Sequence, residues 1–526
     1  MRGVEVSPVR ETAFDPGIKS RSWSWSPCAS LLNNHNAMAE TPPLWRRILL
    51  RPSLFLACIT VIAYWDTQAL NGGLVYDDGG SLKNNVVVAG SVPWQEVFQR
   101  DFWGTLMTEP QSHKSFRPIT TLSFRANWVL AGEDPTGNTF GFHLVNVLLH
   151  GIVTGMTVEV SAFLFSNDMI PQIIVGAVFG LHPVHAEAVT NITSRGELLM
   201  SFFFLSAFLF FASSVRLAQS SVVKSIGIYV IPWLCMFLSV FCKEQGATAL
   251  VSVVVYDFLR QNTSVREFIP KLLKYDPNSV SFVRRTLIFA IQSALVVGLR
   301  VWLNGESSPD FIYDQNPAGF SKDRFTRVFS VSWVYCLYII DAVFPVYLAP
   351  DWSGRGIDLI RSIRDPRALG VLALWTFTAG CLYLLFCGRG ASESRRVVLI
   401  AFFGLLFSPF LLSSNLLVVT GLMKADRVIY LPLLGFAVLQ AQLFQYVSGS
   451  KVCSVDTLGS SKRYLLSYLA IMVQFAWLGA RLHERNVAWS NSLDLWVNAY
   501  LINNKSHHTM VRFVFLCRPF LVHSVS

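Results

Sequence analysis

The sequence predicts an all-α, polytopic membrane protein. Hydrophobic residues make up 52% of its 526 positions, charged residues only 14%, and the mean hydropathy is +0.44. The apolar residues gather in runs that recur along the chain, each close to the ~20 residues that an α-helix needs to cross a bilayer. One soluble core would not need so many separate apolar segments.

Twelve apolar runs can be distinguished, and the charges between them predict which ends face the cytosol. Basic residues concentrate in short loops, as the positive-inside rule requires of cytosolic segments. All of these loops can be cytosolic only if one run within 303–367 does not cross, and 327–348 is the best candidate because it contains Asp341 and Pro345. We therefore expect about eleven transmembrane helices, one interfacial or re-entrant segment, a cytosolic N-terminus and a luminal C-terminus. The runs are 48–65, 143–166, 172–190, 197–213, 225–242, 246–258, 283–302, 327–348, 368–387, 397–413, 428–446 and 464–480.

The chain divides into three regions. Residues 1–44 are polar and rich in Ser and Arg, which predicts a disordered cytosolic N-terminus. Residues 45–482 form a multi-spanning membrane domain, and 483–526 form a luminal tail. The net charge of +10 lies mostly in loops between spans, so it indicates topology and membrane lipid rather than a nucleic-acid partner. The nine cysteines lack metal-type spacing and are interpreted as small apolar side chains.

Asp77 and Asp78 stand side by side in the first polar loop, in the run 74–80 (LVYDDGG), on the predicted luminal side. Adjacent carboxylates beside a span are costly unless they have a function. An enzyme that activates a weak hydroxyl nucleophile needs a base, and a loop at the membrane surface is one place for it. The alternative is a solvated acid pair in a turn.

Four basic residues on the luminal side are candidates for binding a phosphate group. Lys114 and Arg117 lie in 112–118 (SHKSFRP), which otherwise suits an interfacial segment that touches lipid headgroups. Lys243 precedes Glu244 in a tight hairpin, where it forms either an internal ion pair or a contact to an anionic lipid-linked substrate. Arg427 begins a luminal helix, where snorkelling to the cytosol does not explain its charge.

Five further residues are candidates for substrate contacts. His182, His185 and Glu187 lie in 182–187 (HPVHAE), a spacing that could bind a divalent metal, although Pro183 disturbs the helical register. Structural histidines at the membrane surface are the alternative, and we assign no metal ligands. Trp352 and Arg355 lie in 351–356 (DWSGRG), which suits sugar stacking or phosphate contact and equally a loop at the membrane interface.

Together these motifs resemble the transmembrane, tetratricopeptide-containing O-mannosyltransferases that target cadherins. The resemblance covers about residues 45–505. It implies a C-type glycosyltransferase fold in the endoplasmic reticulum membrane, dolichyl phosphate mannose as donor, and Ser or Thr hydroxyls of cadherin-type domains as acceptors. It places Asp77 and Asp78 where such folds carry the first-loop catalytic acid. The motifs are 75–78 (VYDD), 112–118 (SHKSFRP), 182–187 (HPVHAE), 243–244 (KE), 351–353 (DWS) and 426–432 (DRVIYLP).

The implied chemistry requires no cofactor, because the donor already carries a phosphate leaving group, and a divalent metal is not favoured. Asp426 departs from the family pattern, which usually has Glu at this position. The run 489–504 resembles the approach to a first tetratricopeptide repeat, and the expectation is a chain truncated before the repeat array. Two rival functions are a non-catalytic scaffold of the same family and a secondary transporter, which should carry polar residues at mid-membrane and inverted repeats.

Overall fold

The computed structural model describes residues 51–65, 70–132, 137–217, 222–305, 311–390, 392–449 and 458–523, and the predicted N-terminal region 1–44 lies outside them. This described part is helical, with one isolated bridge between Arg100 and Leu106 and no β-strand. In chain order the helices are α1 Pro52–Ala63, α2 Pro118–Ala131, α3 Phe140–Leu164, α4 Met169–Leu181, α5 Ala186–Thr190, α6 Arg195–Ser214, α7 Val222–Cys242, α8 Ala249–Gln261, α9 Val265–Leu273, α10 Pro277–Asn304, α11 Arg324–Val343, α12 Arg367–Cys387, α13 Glu393–Ser413, α14 Leu433–Ser448, α15 Leu458–Ala488, α16 Ser492–Ile502 and α17 His507–His523.

Each of the twelve apolar runs overlaps a helix, which confirms the predicted all-α membrane class. Eight helices of the described part are long and apolar enough to cross a bilayer, or nine if the bent pair at Pro183 is one span. The other runs overlap the shorter helices α1, α8 and α14. Helix α11 is itself long and apolar enough to cross. That it does not cross, the total of eleven spans and the orientation of the termini therefore stay predictions.

Three helices lie at the periphery of the bundle. In the most apolar stretches of α10, α12 and α15, only 17%, 11% and 11% of residues are buried, against 61% in α3. Long apolar helices that leave most of their surface uncovered need an apolar solvent. We conclude that these three helices face lipid, whereas α3, α4, α6 and α14 form the interior.

The first long loop is a folded layer. The Asp101 carboxylate accepts hydrogen bonds from the backbone N–H groups of Trp103, Thr105 and His113 and from the Ser112 hydroxyl, at 2.8–3.0 Å. Gly104 makes this turn possible, because its φ is +89° and a Cβ there would lie about 3.1 Å from the Asn85 side chain. Leu82, Val88 and Phe102 of the layer pack in one apolar cluster with Phe124 of α2, Phe142 of α3 and Ile192.

A bend at Pro183 brings the 182–187 motif under this layer. Helix α4 ends at Leu181, and the chain turns by 44° before it continues into α5. Proline has no N–H to donate and clashes with the preceding turn, so it ends the helix here. As a result Glu187, on α5, lies beneath the loop that carries Asp77.

Arg195 stabilises the junction between the loop layer and the bundle, and does not pair with the nearby Glu197. Its guanidinium is fully buried and donates to Asn146 Oδ1 at 2.8 Å, Asn127 Oδ1 at 2.6 Å and the Phe142 carbonyl at 3.0 Å. It also lies over the Phe124 ring, with Cζ 4.7 Å from the ring centroid.

Replacing Arg195 with Gln is expected to lower the free energy of unfolding by about 3 kcal/mol, because several buried acceptors lose their donors. Thermal unfolding of the detergent-solubilised protein measures this. Arg266→Gln removes an exposed arginine and is the matched control. Equal melting temperatures for the two variants would contradict the prediction.

The C-terminal region packs onto the membrane domain. The predicted start of the tail at 483 lies within the continuous helix α15, and the run that follows forms two helices, α16 and α17. These helices pack through parallel rings of Tyr500 and Phe513, whose centroids are 4.1 Å apart. Trp489 and Trp496 contact Tyr76, at ring-centroid distances of 6.3 and 5.8 Å, so this region reaches the loop that carries Asp77.

Candidate active site

A charged cavity of about 800 Å³ lies where the loop layer, the ends of several helices and the C-terminal region meet. It brings together five of the six sequence motifs, which are far apart along the chain; the exception is 182–187. The ionisable side chains that line it are Asp77, His113, Lys114, Arg117, Lys243, Glu244, Arg300, Asp314, Asp351, Lys424, Arg427, His507 and His508, with Tyr76 and Tyr338.

The two adjacent aspartates have different environments. Asp77 lines the cavity and 30% of its side chain is exposed there, whereas Asp78 is fully buried (0%). The Asp78 carboxylate accepts hydrogen bonds from Thr193 N at 2.8 Å, Thr193 Oγ1 at 2.7 Å and Val75 N at 3.1 Å. Asp78 therefore stabilises the loop, and Asp77 is the carboxylate that a molecule in the cavity can reach.

Burial makes both carboxyl groups easier to protonate than in water. Burial raises the pKa of Asp78 to about 7, although its hydrogen bonds from Thr193 oppose the shift. Burial also raises the pKa of Asp77; the Glu187 carboxylate adds to this shift and the Arg427 guanidinium opposes it. A raised pKa favours proton acceptance near neutral pH, which suits a general base.

Arg427 lies beside Asp77 and is held from behind. Its backbone N–H donates to Glu187 Oε2 at 2.9 Å, and its Nη1 donates to Glu187 Oε1. Its Nη2 is 3.9 Å from Asp77 Oδ2, and its Cζ is 5.7 Å from the centroid of the Tyr76 ring. Burial opposes the charge of Arg427, but the Glu187 carboxylate outweighs it and raises the pKa. Glu187 thus orients a permanent cation toward the cavity.

Arg117 and Arg300, which also line the cavity, share one carboxylate. Arg117 donates through Nη2 to Glu244 Oε2 at 2.8 Å, and Arg300 donates through Nη2 to Glu244 Oε1 at 3.2 Å. Burial favours the protonated form of Glu244, but the two guanidinium groups outweigh it and hold the pKa at about 2. Two cations on one anion leave an excess positive charge on the cavity wall.

The two lysines that the sequence suggested as phosphate ligands, Lys243 and Lys114, are already bound to other protein groups. Lys243 lines the cavity, but its Nζ forms an ion pair with Glu197 rather than with the adjacent Glu244. Lys114 is buried and donates to the Met107 and Glu109 carbonyls, so it holds the loop. Arg427 and Arg117 are therefore better placed than Lys243 or Lys114 to meet an anion.

Lys424 and Trp352 form another part of the wall. The Lys424 Nζ is 2.7 Å from Asp341 Oδ2 and 3.2 Å from Asp426 Oδ1, and it lies 4.3 Å from the centroid of the Trp352 ring. Trp352 lines the cavity, with a lysine against its ring. Asp426, where the family pattern has Glu, binds this lysine, which accounts for an acid at this position.

The structure does not bring His182, His185 or Arg355 into the cavity. His182 and His185 are buried behind it, where their Nε2 atoms lie 3.2 and 3.1 Å from the Ala342 and Tyr430 carbonyls. The bend at Pro183 turns both rings into the bundle. Glu187 is also buried and does not line the cavity; it contacts Arg427, which does. Arg355 is exposed and lies outside the lining. Across the described residues, no three His, Cys, Asp or Glu side chains are grouped to hold a metal ion.

Five acidic, basic or histidine residues of the lining lie outside the sequence motifs, and two of them come from the C-terminal region. Arg300 had a detectable signal, because it is a charge inside the apolar run 283–302. No feature of the sequence marked His507 and His508 as lining residues. The Asp351 carboxylate accepts hydrogen bonds from Ser353 Oγ at 2.7 Å and from Ser506 Oγ, and this contact brings His508 to the rim. The missed residues are Arg300, Asp314, Lys424, His507 and His508.

An apolar groove of about 870 Å³ adjoins the charged cavity and shares Tyr338 with it. It lies between α11, α13 and α14 on the inside and the lipid-facing helices α12 and α15 on the outside. The aromatic residues that line it include Tyr335, Trp375, Phe402, Phe410, Phe436 and Trp477. A groove of this composition suits a long hydrocarbon chain.

The fold and the site define a class of protein: a polytopic helical membrane protein with a charged cavity at one end of its bundle and an apolar groove beside it. Comparison with known proteins identifies the family. The protein-family model described as "Protein O-mannosyl-transferase TMTC, DUF1736" matches residues 305–379, which include the Trp352 loop. The chain belongs to the TMTC family.

Similar proteins support this assignment along most of the chain. Human protein O-mannosyl-transferase TMTC4 is 32% identical over 425 residues, covering 76% of this chain and 55% of the relative. Human protein O-mannosyl-transferase TMTC3 is 29% identical over 467 residues, covering 87% of this chain and 48% of the relative. The chain thus spans about half the length of these relatives. Among solved structures, ArnT from Cupriavidus metallidurans bound to undecaprenyl phosphate aligns over 87% of this chain and 77% of its own, at 12% identity and a TM-score of 0.40.

Proposed function

We propose that this protein transfers mannose from dolichyl phosphate mannose to Ser or Thr hydroxyls of a protein acceptor. The observation that carries the proposal is the Asp77 carboxylate, exposed in a charged cavity 3.9 Å from a guanidinium nitrogen of Arg427. A base beside a fixed cation is the pair that glycosyl transfer from a phosphate leaving group needs. The names of the relatives are consistent with this reaction.

In the proposed reaction, the acceptor hydroxyl attacks C1 of mannose while its proton passes to the Asp77 carboxylate. A new C1–O bond forms on the face opposite the leaving group, so the configuration inverts. The bond between C1 and the phosphate oxygen breaks, and dolichyl phosphate leaves with the electron pair. Arg427 then stabilises the negative charge that develops on the phosphate, and the excess charge of Arg117 and Arg300 adds to this.

The apolar groove would hold the isoprenoid chain of the donor. Its contact with the charged cavity at Tyr338 would put a lipid-linked phosphate at the boundary between the two. The lipid-facing helices α12 and α15 would allow the chain to enter from the bilayer. A soluble nucleotide sugar has no use for such a groove, which supports a lipid-linked donor.

We also propose where the reaction takes place and which protein accepts the mannose. The positive-inside pattern supports a cavity that faces the lumen of the endoplasmic reticulum, with the N-terminus in the cytosol and the C-terminus in the lumen. The C-type glycosyltransferase architecture and cadherin-type acceptor domains follow from the family resemblance and belong to the proposal.

The test uses cells that lack endogenous family members and express this chain together with a secreted cadherin domain. Mass spectrometry of the domain should detect mannose on Ser or Thr. Purified protein in lipid nanodiscs should give the same product with dolichyl phosphate mannose and none with GDP-mannose. Absence of product in both settings, from protein with a normal melting curve, would overturn the proposal.

The pH dependence of the reaction is expected to report Asp77. A general base works only when deprotonated, so activity is retained above its pKa and falls as the pH drops through it. Because burial raises the pKa of Asp77, the acid limb should lie above the ordinary aspartate range near 4. Initial rates between pH 4 and 9 measure the limb, and Asp77→Glu should move it. An acid limb that is unchanged in Asp77→Glu would assign it to another group.

A further inference from the structure

A second polar cavity, of about 430 Å³, lies at the other end of the helix bundle. It is formed where α6 and α8 end and where α7 and α10 begin. Arg285 lines this cavity and Arg300, on the same helix α10, lines the active-site cavity. Their separation along the helix corresponds to roughly 22 Å of rise. The two cavities therefore lie toward opposite faces of the membrane.

The cavity is positively charged. Lys224, Arg260, Lys271 and Arg285 line it, and Asp276 is the acid among the lining residues. The carboxylate of Asp276 already caps helix α10, where it accepts hydrogen bonds from Ser279 N and Oγ, both at 2.9 Å.

The two arginines share a single carboxylate beneath the cavity. Asp257 Oδ1 accepts from Arg260 Nη2 at 3.0 Å, and Asp257 Oδ2 accepts from Arg285 Nε at 2.7 Å. One anion for two guanidinium groups leaves positive charge directed to the cavity. An anion in the cavity would balance it.

Unpartnered donors point to the same ligand. Arg285 is only 9% exposed, and its buried Nη2 has no hydrogen-bond partner within the described residues; neither has Nε of Arg260. Buried guanidinium N–H groups require acceptors, and the arginine fork matches the oxygens of a phosphate group. We infer that this cavity binds a phosphate group, on the membrane face opposite the active site.

The surroundings favour a lipid headgroup as the source of that phosphate. Helix α9 carries Lys271 at the rim, and the apolar side chains of Ile269 and Leu273 beside it are 49% and 75% exposed. A short helix with basic residues and exposed apolar side chains is typical of the membrane interface. It would place Lys271 at the depth of the headgroups, where basic pockets between helices bind phosphorylated lipids.

The experiment uses the full chain, with phosphatidylinositol 4-phosphate, phosphatidylcholine and inorganic phosphate as probes. Native mass spectrometry counts retained lipid, and thermal unfolding reports binding of either phosphate source. The variant Lys224→Gln/Lys271→Gln removes two cations from the lining. Lys274→Gln/Arg266→Gln removes two exposed cations of the same neighbourhood that do not line the cavity, and so matches the change in charge.

We expect the lining variant to retain at least fivefold less phosphatidylinositol 4-phosphate than the wild type, and the control variant to retain it fully. Stabilisation by inorganic phosphate that competes with the lipid would support the phosphate site with a soluble ligand as its source. Equal retention in the two double variants, or retention of phosphatidylcholine as strong as that of the phosphorylated lipid, would overturn the inference. Arg285→Lys keeps the ion pair with Asp257 but loses the fork, and should also weaken binding.

Discussion

Replacing Asp77 with Asn is expected to lower the rate of mannose transfer by about 10²- to 10⁴-fold, the usual contribution of a general base. The amide has nearly the same shape as the carboxylate but cannot accept the hydroxyl proton. Because Asp77 is partly exposed and its nearest cation, at 3.9 Å, has a second partner, the folded structure should tolerate the change. Initial rates at saturating donor and acceptor, with the melting temperature as a check on folding, measure the effect.

Asp78→Asn is the matched control, because it makes the same chemical change one position away. Asp78 accepts three hydrogen bonds in a site with no exposure to the cavity. Its replacement should lower the free energy of unfolding by about 1–3 kcal/mol. The folded fraction should keep activity within a few-fold of wild type. The opposite pattern, an active Asp77→Asn and an inactive but stable Asp78→Asn, would transfer the role of base to Asp78.

The difference between these two aspartates could not be predicted from the sequence. Hydrophobic runs near 20 residues permit little except membrane helices, so the helices and the polar loops between them were predictable. The direction of each carboxylate depends instead on the local turn. Tyr76 has a φ of +50°, and the Asp78 N–H donates to the Val75 carbonyl at 3.0 Å. This turn points one acid into the bundle and the other into the cavity.

The partners in the ion pairs of the cavity also could not be predicted from the sequence. Lys243 and Glu244 are adjacent, but Lys243 pairs with Glu197 on α6 and Glu244 pairs with Arg117 from the loop layer. Neighbours in an extended segment point to opposite sides, and Lys243 has extended backbone angles, so the two partners come from different parts of the fold. Five of the six motifs contribute residues to the wall of the cavity, whereas the pairing across it depends on helix packing.

Arg427→Gln is expected to lower kcat by about 10²- to 10³-fold, as for the loss of one fixed donor that stabilises a developing anion. In the proposed reaction Arg427 acts only when charge appears on the departing phosphate, so KM should change less than kcat. Arg427→Lys keeps the charge but loses the fork, and should recover part of the rate. Arg355→Gln makes the related change at an exposed arginine outside the cavity and should leave the rate unchanged.

A loss of stability could mimic this result, because Arg427→Gln leaves the buried Glu187 without its cation. The double variant Glu187→Gln/Arg427→Gln removes both charges and should restore much of the melting temperature. If Arg427 stabilises the leaving phosphate, the double variant stays as slow as Arg427→Gln despite its recovered stability. Recovery of kcat together with the melting temperature would show instead that Arg427 serves only to neutralise Glu187.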